Sequence, residues 1–292
     1  MEIKWECIRC ILNIRFKDLE ILDADNAEKL IWATKLVEKY ALLLKEYAQK
    51  SPPELLTELF RYMKMLSKIE DPYMHEKERE NKMALSLYDY LKQRLNTMGR
   101  DERLSFAVKA VAVGNSIDPN VYMYSFEPDN LYREIFTSRL AIDDSFILKN
   151  VTNKKMVYVL DNCGEAVFDK ILAEELREKG AQVIGVVKGG SFQNDITISE
   201  AEQIKLMDSF DYVISTGTDA GSIFWDEISE ELKKEILHAD IIIAKGLANF
   251  EYLDVIKERI PAKKLCIFKV KCKVISELIG APINSYVAKA IA

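Results

Sequence analysis

The sequence predicts an α/β protein: a doubly wound, mostly parallel sheet in a Rossmann-like three-layer arrangement, preceded by an all-helical N-terminal subdomain. Three observations predict it. The texture changes near residue 150, from helix-period patterning to short apolar runs that alternate with helical segments. Val157-Tyr158-Val159-Leu160 is a continuous apolar run, the mark of a strand buried on both faces. It stops at Asp161-Asn162-Cys163-Gly164 and passes directly into a helix-period pattern carried by Glu165, Phe168, Ile171, Leu172 and Leu176. The chain has 292 residues, 49% hydrophobic and 30% charged, enough for a large core and two subdomains. The expected boundaries are residues 1–150 and 151–292.

The helical part reads in order. Trp5–Phe16 is helical and places Cys7 and Cys10 at i, i+3 on one face. Asp25 is the expected N-cap of a long helix whose apolar face is Leu30, Ile31, Ala33, Leu36, Val37, Tyr40 and Leu44. Ser51-Pro52-Pro53-Glu54 combines a cap, prolines and a first-turn acid, and Asp71-Pro72 ends that helix. The next helix, from Tyr73 to Gly99, carries a stripe of Met83, Leu87, Tyr90, Leu91 and Leu95. Leu104–Val113 and Asp129–Leu140 complete the set, and no strand is expected before residue 155.

The second part alternates. Strands are expected at Lys155–Leu160, Ala181–Val187, Asp211–Ser215, Asp240–Ala244 and Leu265–Phe268, with helices at Ala166–Lys179, Ser199–Met207 and Glu227–Leu237. The segments just past the strands share a chemical character. Asp161, Asn162 and Glu165 come after the first; Lys188, Asn194 and Asp195 after the second; Thr216, Thr218 and Asp219 after the third. Lys245, Asn249 and Glu251 come after the fourth, and Lys271 after the fifth. A parallel sheet gathers these loops on one edge, where open α/β sheets bind ligands. Two aspartates and an asparagine suit a hard, oxygen-liganded divalent cation, while lysines and the N–H groups opening a helix suit a phosphate. The chemistry this allows is metal-assisted phosphoryl transfer to water. Each piece has a plainer reading: Asp-Asn and Asn-Asp pairs serve as turns and caps, Glu165 as a first-turn acid, and lysines as surface charge.

Composition narrows the alternatives. A net charge of −6 and a pI near 5.3, without a basic cluster, argue against nucleic acid as a partner. No apolar run is long enough to span a membrane, and the N-terminus lacks a secretory h-region. Five cysteines fit a reducing, cytoplasmic location better than a disulfide framework. With two histidines in all, His75 and His238, any metal is expected to be held mainly by oxygen. Cys7-x-x-Cys10 stands in no thioredoxin-like context and has no second CxxC to complete a zinc site.

These motifs together resemble a known family, the metal-dependent damage-control phosphatases. The resemblance spans essentially the whole chain and rests on Asp161-Asn162-Cys163-Gly164-Glu165 with Phe168-Asp169, on Asn194-Asp195, on Lys245-Gly246-Leu247-Ala248-Asn249-Phe250-Glu251 and on Lys269-Val270-Lys271-Cys272. Gly114-Asn115-x-Ile117-Asp118 looks like a further family segment, and Cys7-x-x-Cys10 resembles the CxxC of an archaeal-type subfamily. The resemblance implies a metal (Mn²⁺, Co²⁺, Ni²⁺ or Mg²⁺) on Asp161, Asn162 and Asp195. It implies phosphate or substrate contacts from Lys245, Asn249 and Lys271. Read from the residues themselves, Glu165 is a candidate to support the site from behind, and Asn115 and Asp118 are candidates for substrate specificity as the helical part closes over the sheet edge. The implied substrate is a small phosphorylated metabolite: a sugar phosphate, a phosphopantetheine derivative or a nucleotide-related compound. The sequence departs from the family at Leu247-Ala248, where a polar side chain is usual. The rival readings are an S-adenosylmethionine-dependent carboxyl methyltransferase, which a lone Gly164 after the first strand does not favour, and a non-catalytic metabolite-binding protein.

Overall fold

A computed structural model describes residues 1, 3–46, 50–115 and 128–291. Asp118, with Ile117, lies outside the described residues. The N-terminal part is formed by α1 (Trp5–Glu20), α2 (Asn26–Glu46), α3 (Pro52–Ser67), α4 (Met74–Asn96), α5 (Arg100–Gly114) and α6 (Pro128–Thr137). The caps act as the sequence predicts. Asp25 accepts the Glu28 N–H at 2.8 Å to open α2, and at α3 the Ser51 N–H donates to the Glu54 carboxylate at 2.8 Å.

The sheet contains β1 (Leu140–Asp143), β2 (Lys155–Val159), β3 (Gln182–Val187), β4 (Tyr212–Ser215), β5 (Ile241–Lys245), β6 (Lys263–Lys269) and β7 (Tyr286–Ile291) in the order β1-β7-β6-β5-β2-β3-β4. The five strands from β6 to β4 are mutually parallel. β7 runs antiparallel to β6, and β1 pairs parallel with β7. Between the strands lie α7 (Glu165–Glu178), α8 (Ile198–Gln203), α9 (Glu230–Leu237), α10 (Leu247–Ile256) and α11 (Lys273–Ile279).

The sheet is covered on both faces, as continuous apolar strands require. Met156, Tyr158 and Leu160 of the β2 segment point to a core shared with α4, α5 and α7. Val157 and Val159 point to a second core with α9, α10 and α11. A third core joins α1, α2 and α3 and includes Phe192, from the loop after β3.

Several expectations are corrected. There is a strand before residue 155: Leu140–Asp143 is β1, so the helix expected to reach Leu140 ends at Thr137. A four-residue edge strand is too short to show a period, and only its partner β7 reveals it. The sequence patterning does not predict that partner, nor α10 and α11. On α2 the buried residues are Leu36, Tyr40 and Leu43, while Leu30, Ile31 and Val37 are exposed. Tyr90 likewise faces outward from α4. Sequence shows which residues are apolar, but the helix rotates to the face its neighbours cover.

The strand order positions the candidate site. After β2 the chain moves outward through β3 and β4, then returns to the other flank of β2 for β5 and β6. The carboxyl end of β2 is therefore a topological switch point, where the loops diverge and leave a crevice. The pairing Val159↔Ala244 sets Asp161, two residues further along one strand, level with Gly246 on the other.

Candidate functional site

Two loops are fastened together above β2. The Cys163 N–H donates to the Asn194 carbonyl at 2.8 Å, and the Ile196 N–H to the Asp161 carbonyl at 2.9 Å. Between them Asn162 and Asp195 form an isolated antiparallel bridge. This ladder brings the Asp161 and Asp195 carboxylates together, though they are 34 residues apart. The helical part braces it: Asn81 of α4 accepts the Gly164 N–H at 2.7 Å, and Asn194 donates to Glu80 at 3.0 Å. Gln193 reaches the Asp18 carboxylate of α1 at 3.2 Å. Because Asn81 already takes the Gly164 N–H, the anion cradle expected at the start of α7 is partly occupied.

Glycine is required twice. Gly164 turns the chain from β2 into α7 with φ +71°, a backbone that side chains resist. Gly246, φ +78°, lies directly against Asp161; a Cβ there would stand 1.8 Å from Asp161 Oδ2. The Lys-Gly segment thus admits the Asp161 carboxylate to the space between β2 and β5.

Asp161, Asn162 and Asp195 are 8%, 6% and 4% exposed, at the floor of the crevice. Burial pushes the Asp161 carboxyl well above its ordinary value, with the Asp195 and Glu165 charges adding to the rise and Lys188 and Lys271 opposing it. Burial lifts Asp195 to about 6 against the pull of Lys188. Lys188 Nζ stands 3.2 Å from Asp195 Oδ2, yet neither atom makes a well-formed hydrogen bond. Two buried carboxylates that disfavour each other's charge, one with an unbonded oxygen, are what a cation would relieve. The Asn162 amide nitrogen is committed to Glu165 at 2.7 Å and Asp161 at 3.3 Å, leaving Oδ1 as its remaining donor atom for an ion. Among the described residues no three histidine, cysteine, aspartate or glutamate side chains stand together as metal ligands. The candidate set has two carboxylates completed by an amide oxygen, and these hard donors fit Mg²⁺, Mn²⁺ or a similar ion.

Behind this crevice lies a sealed knot. Glu165, fully buried, accepts both carboxylate bonds from Asn115 Nδ2 at 2.8 Å and one from Lys245 Nζ at 3.0 Å. Lys245, also fully buried, stands 3.3 Å from Asp169, which accepts the Tyr158 hydroxyl at 2.8 Å. Asn115 in turn accepts the Lys269 N–H at 2.8 Å, tying the end of α5 to β6. Asn249, fully buried, donates to the Lys245 carbonyl at 2.8 Å and accepts from Ser222 at 2.8 Å. Burial lifts Asp169 to about 6 despite Lys245 beside it, and the Asp169 and Glu165 charges outweigh desolvation to hold Lys245 above the usual lysine range.

The structure therefore gathers Asp161, Asn162, Glu165, Asp195, Lys245 and Asn115 within linked contacts, with Lys271 close enough to act on Asp161. Two expected carboxylates lie elsewhere. Asp219 is clasped by Arg61 and Lys64 of α3, at 2.8 and 2.9 Å. Glu251 lies on α10, where its backbone carbonyl accepts the Met1 ammonium at 3.1 Å and that ammonium acts on its carboxylate; the separate Cys7-x-x-Cys10 motif lies on α1. Lys188, Asp169 and Tyr158 gain a place that sequence alone does not assign. Lys188 stands in the right loop, but nothing in sequence aims its ammonium at Asp195.

Comparison with known proteins identifies the family and the fold. The model of the damage-control phosphatase ARMT1-like domain matches residues 3–287. An uncharacterized protein of Methanocaldococcus jannaschii is 34% identical over 98% of this chain and 95% of its own length. A damage-control phosphatase of Pyrococcus horikoshii is 31% identical over 97% of this chain and 96% of its own. The crystal structure of a DUF89 family protein from Pyrococcus horikoshii superposes with a TM-score of 0.86 at 28% identity, covering 99% of this chain and 98% of that one. The chain belongs to the family of damage-control phosphatase ARMT1-like domains.

Proposed function

We propose that the protein is a divalent-cation-dependent phosphatase that hydrolyses a small phosphorylated metabolite. The observation that carries this reading is the pair of buried carboxylates, Asp161 and Asp195, fixed side by side at the switch point, with Asp195 Oδ2 facing Lys188 at 3.2 Å in a poorly aligned ion pair. Asp161, Asp195 and the Asn162 amide oxygen would hold Mn²⁺, Co²⁺, Ni²⁺ or Mg²⁺. When bound, the ion supplies Lewis-acid polarisation of a phosphoryl oxygen and lowers the pKa of water. Lys188 and Lys271, both acting on Asp161, offset charge that develops on the phosphoryl group as water attacks. Glu165 and Asn115 fix the Asn162 amide, and Asp169 and Glu165 fix Lys245, so the crevice meets its substrate without rearranging. Asn249 holds the Lys245 carbonyl at the mouth of α10. The names of the relatives support a damage-control role. A cytoplasmic location and a division at residue 150 belong to the same reading; among the described residues no helix is long and apolar enough to cross a membrane.

The test is phosphate release from an aryl phosphate and a panel of sugar phosphates, phosphopantetheine and nucleotides, after chelation and add-back of each ion. Release that needs a divalent ion and vanishes in Asp161→Ala supports the proposal. Folded protein that releases no phosphate with any ion would return the methyltransferase and binding-protein readings.

A further inference from the structure

Cys7-x-x-Cys10 has no part in the chemistry above, but it has a partner in space. Residues of two chain segments pack against shared cores there. Met1 and Cys272 pack against the same core, the one shared by α10 and α11. Cys7 and Val274, two residues beyond Cys272, belong to the core of α1, α2 and α3. The Met1 ammonium donates to the Glu251 carbonyl of α10 at 3.1 Å and stands 3.6 Å from the Asp254 carboxylate, which pins the start of the chain beside α10. Cys272 is the N-cap of α11, and Cys7 and Cys10 occupy the first turns of α1. The three thiols are near enough to act on one another's charge: Cys272 and Cys7 both act on Cys10, and Cys7 on Cys272. Their accessibility is graded, with Cys7 buried, Cys272 half-buried and Cys10 exposed. Among the described residues no three such side chains form a ready ligand set for an ion, whereas a disulfide needs two sulfurs.

We infer that Cys10 and Cys272 form a redox modification site, in which a small-molecule disulfide oxidises the two thiols to a cross-link that ties α1 to the Lys271–Cys272 segment. The exposed Cys10 thiolate attacks one sulfur of the reagent, forming a mixed disulfide and releasing one reagent thiol. The Cys272 thiolate then attacks the Cys10 sulfur and releases the second. Two protein thiols lose two protons and two electrons, and the reagent disulfide becomes two thiols. Burial first, and then neighbouring thiols and Glu251, raise the Cys10 and Cys272 thiols above their ordinary value, so cross-linking quickens as pH rises. Because Lys271 directly precedes Cys272, the link restrains a lysine that acts on Asp161; an effect on turnover rests on the phosphatase reading, while the link itself does not.

The full chain is treated with oxidised glutathione at alkaline pH, its remaining thiols are blocked under denaturing conditions, and tryptic peptides are weighed. Cleavage after Arg9 separates Cys7 from Cys10, so the pairing is read directly. The expected result is a fall from five free thiols to three, with Cys10 joined to Cys272 and the link absent in Cys272→Ser. Stable glutathione on Cys10 alone, a Cys7–Cys10 bond, or no thiol loss would each overturn the proposal. So would a stoichiometric zinc ion that survives dialysis and masks all three thiols.

Discussion

The crevice and the knot behind it are built from the same materials and behave oppositely. Each has two carboxylates and a lysine: Asp161, Asp195 and Lys188 in one, Glu165, Asp169 and Lys245 in the other. In the knot the lysine is gripped by both acids, and Asn115, Asn162 and the Tyr158 hydroxyl meet most of the remaining oxygens. Glu165, Asp169 and Lys245 are fully buried there, and Asp169 Oδ2 is the carboxylate oxygen of the knot left without a hydrogen bond. In the crevice the lysine reaches one acid imperfectly, an oxygen of Asp195 goes unbonded, and the Asp195 charge raises Asp161. A buried cluster whose lysine is shared by both acids is scaffold; one whose lysine pairs with a single acid at a sheet edge waits for a ligand.

That contrast can be broken by substitution. Asp161→Ala should have the largest effect on activity, a loss of roughly a thousand-fold or more in metal-dependent phosphate release. The metal-free variant should melt no lower than the parent, because it loses an uncompensated buried acid. Lys245→Met should do the reverse to stability. It leaves Glu165 and Asp169 buried without their cation, a cost of about 3–5 kcal/mol measured by denaturant unfolding. If Asp161→Ala unfolded the protein and Lys245→Met did not, the assignment of scaffold and site would be exchanged.

A pH series sharpens the same comparison. Asp195, lifted to about 6, binds its proton more tightly folded than unfolded. Its contribution to metal-free stability is therefore present at acid pH and is lost as pH rises from its unfolded value through about 6. The melting temperature of chelated protein should fall over that window, recover on adding Mn²⁺, and fall less in Asp195→Asn. Glu251, lifted by burial to about 8 and placed outside the crevice, should add a second decline up to that pH. Glu251→Gln should remove that decline without altering the Mn²⁺ response. The smallest effect is expected from Tyr158→Phe, which frees one Asp169 oxygen and should cost about 1 kcal/mol.

Much of this is legible in the sequence. The apolar run at Val157–Leu160, the turn at Asp161–Gly164 and the alternation after residue 150 fix the fold class, because burial on both faces leaves a one-dimensional signature. The Asp-Asn, Asn-Asp and Lys-Gly segments also announce themselves, since each comes just after a strand. Sequence could not choose the face of α2 or find β1, whose four residues gain meaning only beside β7. Nor could it separate Lys188 from Lys245, because both lie at the end of a strand and both are lysines. One ends beside an unbonded carboxylate and the other between two acids. That distinction depends on which strands flank β2 and how the helices pack. Those choices are settled by contacts between residues tens to hundreds of positions apart, and no local pattern records them.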